Sequence, residues 1–243
     1  MRRLIVVTTL ACVVMACADD APGTEPSKSA GPIDLNEMSS DGGSRSPGET
    51  GAVAPATIAR YATKVVSFTP GRCAGFGADR MPEIVMGPPK GAGDEVGSFD
   101  VLSLGNGGEI VLSFEPSIIV DRPGIDFVVF ENAFYANGDR SKPFVDLAEV
   151  SVSDDGETWT AFPCTATEPP YGDCAGWRPV YASEGEDPAT ISGGDVYDLA
   201  TIGVSQARFV RIKDNTSQLC TSQGPNNNGF DLDAVGVVHA VDP

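Results

Sequence analysis

The chain of 243 residues contains 34 Asp and Glu residues against 16 Lys and Arg residues, which gives a formal net charge of −18. This acidic balance argues against a nucleic-acid partner, because phosphate binding depends on clustered Lys and Arg. His239 is the sole histidine, so catalytic or metal sites built on two or more imidazoles are excluded.

Residues 1–16 have the features of an export signal. Arg2 and Arg3 precede the apolar run Leu4–Met15, which is shorter than the roughly 20 residues that a bilayer-spanning helix needs. Ala16 and Cys17 follow the run, and this ending resembles the lipobox of bacterial lipoproteins. We therefore expect a lipid anchor on Cys17; the alternative is ordinary signal cleavage nearby, with this cysteine incidental.

Residues 17–56 are rich in Gly, Pro, Ser and acidic residues and show no apolar periodicity. Such a composition cannot bury enough apolar surface to offset the entropy lost on ordering. The segment is predicted to be a flexible tether that holds a folded domain, residues 57–243, away from a membrane.

Four further cysteines lie in the predicted domain, and an even number in an exported chain favours two disulfides. Three pairings are open. Cys164 and Cys174 flank a short loop that contains Pro169-Pro170, so a local bond is plausible. Cys73 and Cys220 would then join the start of the domain to a loop near its end. A four-cysteine metal site is disfavoured because no CxxC spacing occurs.

The domain has the pattern of an all-β protein. Short runs alternate in polarity or are rich in β-branched residues, and Gly-, Asn- and Pro-containing turns separate them. No stretch carries a helical stripe over ten residues, and Asp198–Ile202 is at most a short helical turn. These features predict a β-sandwich or barrel with strands at Thr63–Phe68, Glu109–Phe114, Asp126–Phe130, Ala148–Ser153, Arg208–Lys213 and Ala234–Val241.

The segment Glu149–Trp159 resembles the strand–turn–Trp hairpin of discoidin-like, galactose-binding jelly rolls. In that pattern Val150 and Val152 face the core, Asp155-Gly156 forms the turn and Trp159 packs in the core. The resemblance implies a jelly-roll-like β-sandwich, similar to galactose-binding domains.

The segment Ala207–Ile212 resembles the strand that follows in the same fold. There Phe209 and Arg211 are expected on one face, and Val210 and Ile212 on the core face.

A broader resemblance covers most of residues 96–240. The segments Leu104–Gly108, Gly124–Asn132, Gly193–Leu199 and Gly229–Val235 are similar to a family of bacterial exported proteins described as cell-surface proteins. The resemblance implies a location in the bacterial cell envelope, facing the periplasm or the exterior, and implies no activity. The chain departs from that family in its cysteine pairs and in its lipoprotein-like tether.

Acidic and amide side chains gather at the ends of the predicted strands. Asp231 and Asp233 lie two residues apart at the start of a strand, so both carboxylates are expected on one face. Oxygen ligands of this kind suit Ca²⁺, although no EF-hand loop is present. The alternative is that these acids cap turns and keep an exported protein soluble. The candidate metal ligands are Glu131, Asn132, Asp195, Asp198, Asp231 and Asp233, and Asp214-Asn215 ends a further strand.

Aromatic residues in loop-like segments are candidates for stacking on sugar rings. They are Tyr135, Tyr171 and Trp177. Packing beside a disulfide is an equal alternative for the tryptophan.

No GxSxG elbow, P-loop or dinucleotide-binding motif occurs. The leading hypothesis is a lipid-anchored surface protein, not an enzyme, with a Ca²⁺-stabilised domain that binds a glycan or a protein partner. A secreted carbohydrate-active enzyme with paired carboxylates is the first alternative, and a purely structural envelope protein is the second.

Overall fold

The computed structural model describes residues 58–181, 187–190, 193–220 and 227–242. The predicted signal, the lipidation of Cys17 and the predicted tether lie outside these residues. Within the described ranges, no helix has the length and apolar character needed to cross a membrane.

The described residues form fifteen strands and four short 3-10 turns. The strands are β1 (Lys64–Thr69), β2 (Leu102–Ser103), β3 (Glu109–Ser113), β4 (Ile118–Val120), β5 (Phe127–Phe130), β6 (Phe134–Tyr135), β7 (Pro143–Phe144), β8 (Ala148–Ser153), β9 (Thr160–Ala161), β10 (Asp195–Tyr197), β11 (Gln206–Ala207), β12 (Phe209–Asp214), β13 (Asp231–Leu232), β14 (Ala234–Val237) and β15 (Ala240–Val241). The 3-10 turns are Ala78–Arg80, Glu83–Val85, Ala136–Gly138 and Leu199–Ile202.

The largest layer is a five-stranded antiparallel sheet with the order β1-β3-β12-β8-β9. Strand β12 alternates between buried and more exposed residues, as expected of a sheet that packs on the core with one face. In β12, Val210 and Ile212 are fully buried, whereas Phe209 and Arg211 are half-buried on the other face. The predicted division of this strand between two faces is confirmed.

Smaller antiparallel sheets supply the second layer, with the orders β10-β5-β14, β11-β4-β15 and β13-β2. Strand β5 is buried on both faces, which explains its unbroken apolar sequence. Phe127 and Val129 join the main core, while Val128 and Phe130 pack in a second cluster with Val180.

Between the layers, side chains from both sets of strands form one apolar core. Three rings lie within it: Phe127 stacks on Tyr197 with 4.9 Å between ring centroids, and Phe162 meets both rings edge-on at 5.8 and 4.7 Å. The domain is thus all-β with sandwich-like packing, as predicted.

All six predicted strands are present. Five agree to within a residue or two at each end, and the last is divided into β14 and β15. The predicted helical turn is the 3-10 turn Leu199–Ile202, which begins at the capping residue Asp198, whose side chain accepts a hydrogen bond from Ala200 N. The core position predicted for Trp159 is wrong. Its ring is half-buried on the outer face of the sheet, where the Arg211 guanidinium covers it at 4.4 Å.

Both predicted cysteine pairs are bonded. Cys164–Cys174 closes a local loop, and Cys73–Cys220 joins residues 147 positions apart in the sequence. Two disulfides are typical of a protein that folds in an oxidising compartment outside the cytoplasm.

Candidate functional site

Five buried carboxyl groups from separate strand ends influence one another electrostatically, and we call them the acid cluster. One follows β5, one precedes β8, one begins β10, one ends β12 and one begins β13. Each is at least nine-tenths buried. The members are Glu131, Asp146, Asp195, Asp214 and Asp231.

Glu131 lies at the centre of the acid cluster. Burial raises its pKa well above the ordinary value, and the nearby carboxylates of Asp231, Asp146 and Asp195 raise it further. One carboxyl oxygen, Oε1, accepts a 3.4 Å hydrogen bond from Asp231 N. The other, Oε2, is buried and has no hydrogen-bond partner among the described residues.

Asp231 and Asp146 flank this glutamate. Burial raises the pKa of Asp231 to about 6 and that of Asp146 to about 7. Asp231 Oδ1 accepts a hydrogen bond from Ser103 Oγ, and its Oδ2 lies 3.5 Å from Asn132 Nδ2. Among the described residues, no ion pair includes Glu131, Asp146 or Asp231, so no basic side chain neutralises them.

Asp195 is held from the loop that follows the local disulfide. Its Oδ2 accepts hydrogen bonds from Gly176 N at 2.7 Å and Trp177 N at 3.3 Å. Burial raises the pKa of Asp195 to about 7, although these hydrogen bonds act to lower it. Its Oδ1 is buried without a hydrogen-bond donor, and Arg178 Nε lies 3.9 Å away. Asp195 therefore has one satisfied and one unsatisfied oxygen.

Asp214 is the best satisfied member of the acid cluster. Its carboxylate accepts hydrogen bonds from Gly107 N, Thr216 N, Thr216 Oγ1 and Phe230 N at 2.8–3.1 Å. Gly229, with φ of 78°, brings the chain so close that a Cβ there would lie 2.9 Å from Asp214 Oδ1. Asp214 thus fixes the loop that leads into β13.

The structure brings four of the six predicted metal ligands together and places two elsewhere. Glu131, Asn132, Asp195 and Asp231 belong to the acid cluster or touch it. Asp233 has other partners, because pairing switches from β2 to β5 at this residue, between β13 and β14.

Asp233 accepts hydrogen bonds from Lys90 N at 2.9 and 3.1 Å. Burial raises its pKa to about 7. The charged groups that act on its pKa are Asp100 and Lys90, so it lies in surroundings that differ from those of Asp231.

Asp198 belongs instead to an aspartate trio with Asp121 and Asp126. Among the described residues, this is the one group of three in which carboxylate oxygens lie within 4.8 Å of one another. Asp126 is fully buried and well supplied with donors. Its Oδ1 accepts from Arg122 N at 3.1 Å and is 2.9 Å from His239 Nδ1, and its Oδ2 accepts from Leu199 N at 2.8 Å.

An aromatic groove opens directly above Asp231 and Asn132. Two pockets of about 80 and 230 Å³ share these two residues and also Ser98, Phe99 and Asn227. The Phe99 side chain is 81% exposed. We call the two pockets, with the residues that line them, the groove.

Three other rings line the groove. Phe144 is 49% exposed and stacks on Phe134 with 5.0 Å between centroids, and Phe76 lies 6.4 Å from the Phe99 ring. Exposed rings around a half-buried amide and a buried carboxylate are the components of a binding site for a ligand that is apolar on one side and rich in hydroxyls on the other.

A larger cavity, of about 790 Å³, adjoins the same stretch of chain through Asp100. Three of its four charged groups are paired: Asp100 binds Arg80 Nη1 at 2.8 Å and Lys90 Nζ at 2.9 Å. Ile84, Met86 and Pro88 form its apolar wall. We favour the groove as the binding site because its exposed rings are available to stack on a ligand.

None of the predicted ligand-binding aromatics lines the groove. Tyr135 is half-buried with Arg140 above its ring at 5.2 Å. Tyr171 and Trp177 meet edge-on at 6.0 Å, and the Arg178 guanidinium covers the Trp177 ring at 4.4 Å. A ring face that already carries a guanidinium is not open to a sugar, which favours the packing alternative for Trp177.

The sequence prediction missed Phe99, Phe144 and Asp146. Asp146 precedes a strand, so the strand-end rule that selected the other acids could have found it. The two phenylalanines had no local signal, because their value depends on which loops meet above Asp231.

No protein-family model matches the chain, and no curated protein matches it either. The acid cluster and the groove are therefore the features from which a function can be proposed.

Proposed function

We propose that the protein is a lipid-anchored cell-surface protein whose Ca²⁺-stabilised, jelly-roll-like β-sandwich binds a glycan through the groove. One observation carries the glycan proposal: the exposed rings of Phe99 and Phe144 stand beside Asn132 and Asp231. Sugar rings have apolar C–H faces and hydroxyl edges, and this groove offers a partner for each.

Three features support a location at the cell surface. The N-terminal sequence has the order of a lipoprotein signal and tether. The two disulfides are typical of exported proteins. The net charge of −18 argues against a nucleic-acid partner inside the cell.

The acid cluster supports the Ca²⁺ proposal. Buried carboxylates without a cationic partner are costly, and a divalent cation would remove that cost. Glu131 Oε2 and Asp195 Oδ1 are buried oxygens without hydrogen-bond donors, and oxygen is the ligand type that Ca²⁺ selects. The donor set therefore fits this ion.

A glycan array with the whole exported chain tests the binding proposal, followed by calorimetry on the best glycan. We expect Phe99→Ala to weaken binding about tenfold, a loss of about 1.4 kcal/mol from a single stacking ring. Leu219→Ala is the matched control, because this side chain is 92% exposed and lies outside the groove. Absence of any glycan ligand would favour a protein partner or a purely structural envelope role.

Thermal melting in millimolar Ca²⁺ and then in chelator tests the second part. We expect a higher midpoint with Ca²⁺, because an ion that binds only the folded state stabilises it by mass action. An unchanged midpoint, with no metal detected by elemental analysis, would contradict Ca²⁺ stabilisation.

The anchor has a separate test. We expect the wild-type protein to fractionate with membranes and Cys17→Ser to be released, because the thiol is the site of lipid attachment. Release of both proteins would contradict lipidation.

A carbohydrate-active enzyme is the second candidate, and one observation favours it. Asp231 lines the groove, its pKa is raised to about 6, and Glu131 lies beside it with a raised pKa. Acid–base pairs in glycosidases have this character. Turnover of a polysaccharide panel that is abolished in both Asp231→Asn and Glu131→Gln would support the enzyme, and binding without turnover would support the first proposal.

A further inference from the structure

Two residues belong both to the groove and to the surroundings of Glu131. Asp231 lines the groove, and its backbone N–H donates to Glu131 Oε1 at 3.4 Å. Asn132 also lines the groove, directly follows Glu131 and reaches Asp231 Oδ2 with its Nδ2 at 3.5 Å. A change at the glutamate therefore acts on the floor of the groove through contacts that already exist.

Glu131 supplies an observation that is independent of the number of acids nearby. Its side chain is 96% buried, and Oε2 has no hydrogen-bond partner among the described residues. An orphan carboxylate oxygen inside a protein loses the hydration it would have in water and gains nothing in return. A cation bound to this oxygen would replace the lost hydration.

Asn132 also controls the chain segment 97–100, which carries Phe99. Its Oδ1 accepts a hydrogen bond from Ser98 N. Gly97 permits this approach, because a Cβ there would lie 2.7 Å from Asn132 Oδ1. Ser98 Oγ accepts from Asp100 N at 3.1 Å. The orientation of the Asn132 amide thus sets the position of the most exposed ring of the groove.

We propose that a divalent cation of the Ca²⁺ type binds between Glu131 and Asp231 and, by fixing Asp231 and Asn132, orders segment 97–100 so that the groove binds its ligand. The ordering of the segment is a property of the cation site itself, and the ligand dependence rests on the proposed glycan function. Ca²⁺ is favoured over Mg²⁺ because carboxylate oxygens from separate strand ends suit the flexible coordination of Ca²⁺, whereas Mg²⁺ requires near-octahedral geometry.

The coupling has a thermodynamic consequence. If the ion raises the affinity for a ligand by some factor, the ligand raises the affinity for the ion by the same factor. Calorimetric titration of each in the presence of the other therefore gives two independent measurements of a single number.

The first measurement needs no glycan. The whole exported chain is treated with chelator, dialysed and titrated with CaCl₂, and hydrogen–deuterium exchange of segment 97–100 is followed with and without the ion. We expect saturable Ca²⁺ binding and exchange at the Ser98 amide that is at least about tenfold slower with the ion, because opening the segment then requires loss of the bound ion. Saturable binding with unchanged exchange in segment 97–100 would overturn the proposal, and so would absence of binding.

Variants separate the cation site from the groove. Glu131→Gln removes the orphan carboxylate without touching the groove wall, and we expect Ca²⁺ affinity to fall at least about tenfold and the ion-induced protection to disappear. Glu109→Gln is the matched control, since this half-buried glutamate lies on the five-stranded sheet 4.0 Å from Arg211. Phe99→Ala is expected to retain Ca²⁺ binding. Equal Ca²⁺ affinity in wild type and Glu131→Gln would contradict the assignment.

The outcomes also distinguish this inference from the proposed function. Ion-induced protection of segment 97–100 without any glycan ligand would leave the cation site standing and would remove the glycan proposal. Glycan binding of equal strength in Ca²⁺ and in chelator would leave the glycan proposal standing and would overturn the control by the ion.

Discussion

The domain contains two groups of acids, the aspartate trio and the acid cluster, and each includes a deeply buried carboxyl group with different hydrogen-bond partners. In the aspartate trio, Asp126 is fully buried, yet both of its oxygens meet N–H groups of Arg122, Leu199 and His239. In the acid cluster, Glu131 is buried almost as deeply, and its Oε2 meets no donor among the described residues.

This difference shows that proximity of acids does not by itself indicate a cation site. The trio has the more closely spaced oxygens, but its backbone and imidazole donors already provide the positive charge that a carboxylate needs. In the acid cluster the carboxylate oxygens are more widely spaced, and Glu131 Oε2 and Asp195 Oδ1 have no hydrogen-bond donor among the described residues. Whether the buried carboxylate oxygens have hydrogen-bond donors, and not the number of carboxylates, separates a structural acid from a candidate binding site.

The largest expected effect comes from neutralising the trio. Asp126→Asn places an NH₂ group where at least one N–H donor now finds an oxygen, and a buried unsatisfied donor costs about 3 kcal/mol. We expect the melting midpoint to fall by about 10 °C, in chelator and in Ca²⁺ alike. A midpoint within about 2 °C of wild type would show that these donors find other partners.

The next effect is the pH dependence of the acid cluster. Asp146 and Asp195 have pKa values of about 7 in the fold against an ordinary 3.8. Between these values the folded state binds more protons than the unfolded state, so the free energy of unfolding falls as pH rises. We expect the midpoint in chelator to drop by about 5–10 °C from pH 5 to pH 8, and millimolar Ca²⁺ to remove most of that drop.

A melting series at six pH values, with the ionic strength held constant, measures this slope. Asp126→Asn should retain it, because the trio lies outside the acid cluster. A flat profile in chelator would contradict the raised pKa values of these two aspartates.

A smaller effect, of opposite sign to the first, is expected from Glu131→Gln. The substitution removes a buried carboxylate that has no cationic partner, so we expect the midpoint in chelator at pH 8 to rise by about 3 °C. We expect a smaller rise at pH 5, because burial and the neighbouring carboxylates raise the pKa of Glu131 and so favour its neutral form as the pH falls. If Glu131→Gln lowers the midpoint at pH 8, the Glu131 carboxylate stabilises the fold through hydrogen bonds, as Asp126 does, and is not a candidate cation ligand.

The last effect, similar in size to that of Glu131→Gln but destabilising, is expected from His239→Gln. This removes one donor from Asp126 Oδ1, which keeps the N–H of Arg122 at 3.1 Å. We expect a loss of about 1 kcal/mol, or about 2–4 °C in melting midpoint. A loss as large as that of Asp126→Asn would show that the imidazole is the essential donor of the trio.

Local sequence signals were sufficient for the β-strands. Alternation placed Val210 and Ile212 in the core, and the Asp155-Gly156 pair marked a turn that Gly156 forms with φ of 78°. The prediction for Trp159 was wrong because the hairpin pattern shows only that this residue follows the turn. The face of the sheet on which its ring packs depends on Arg211, from a strand some fifty residues away.

Only part of the candidate site could be predicted from the sequence. Strand-end acids gave Glu131, Asp195 and Asp231, since the ends of neighbouring strands meet in space. The sequence could not separate Asp233 from Asp231, because the switch of strand partners between them is a property of the sheets. The groove depends on Phe99 and Phe144, which loops of unrelated sequence bring together.

The long-range disulfide affects what happens to the protein when a protease cleaves the chain. Cys73–Cys220 closes a covalent ring around residues 73–220, which includes Phe99, Asn132 and Phe144. A protease that cuts one peptide bond inside this ring leaves both pieces joined, so the residues after 220, Asp231 among them, stay attached to the N-terminal part of the chain. A nicked molecule would therefore run as two fragments only after reduction, and until then it would keep both halves of the groove in one covalent unit.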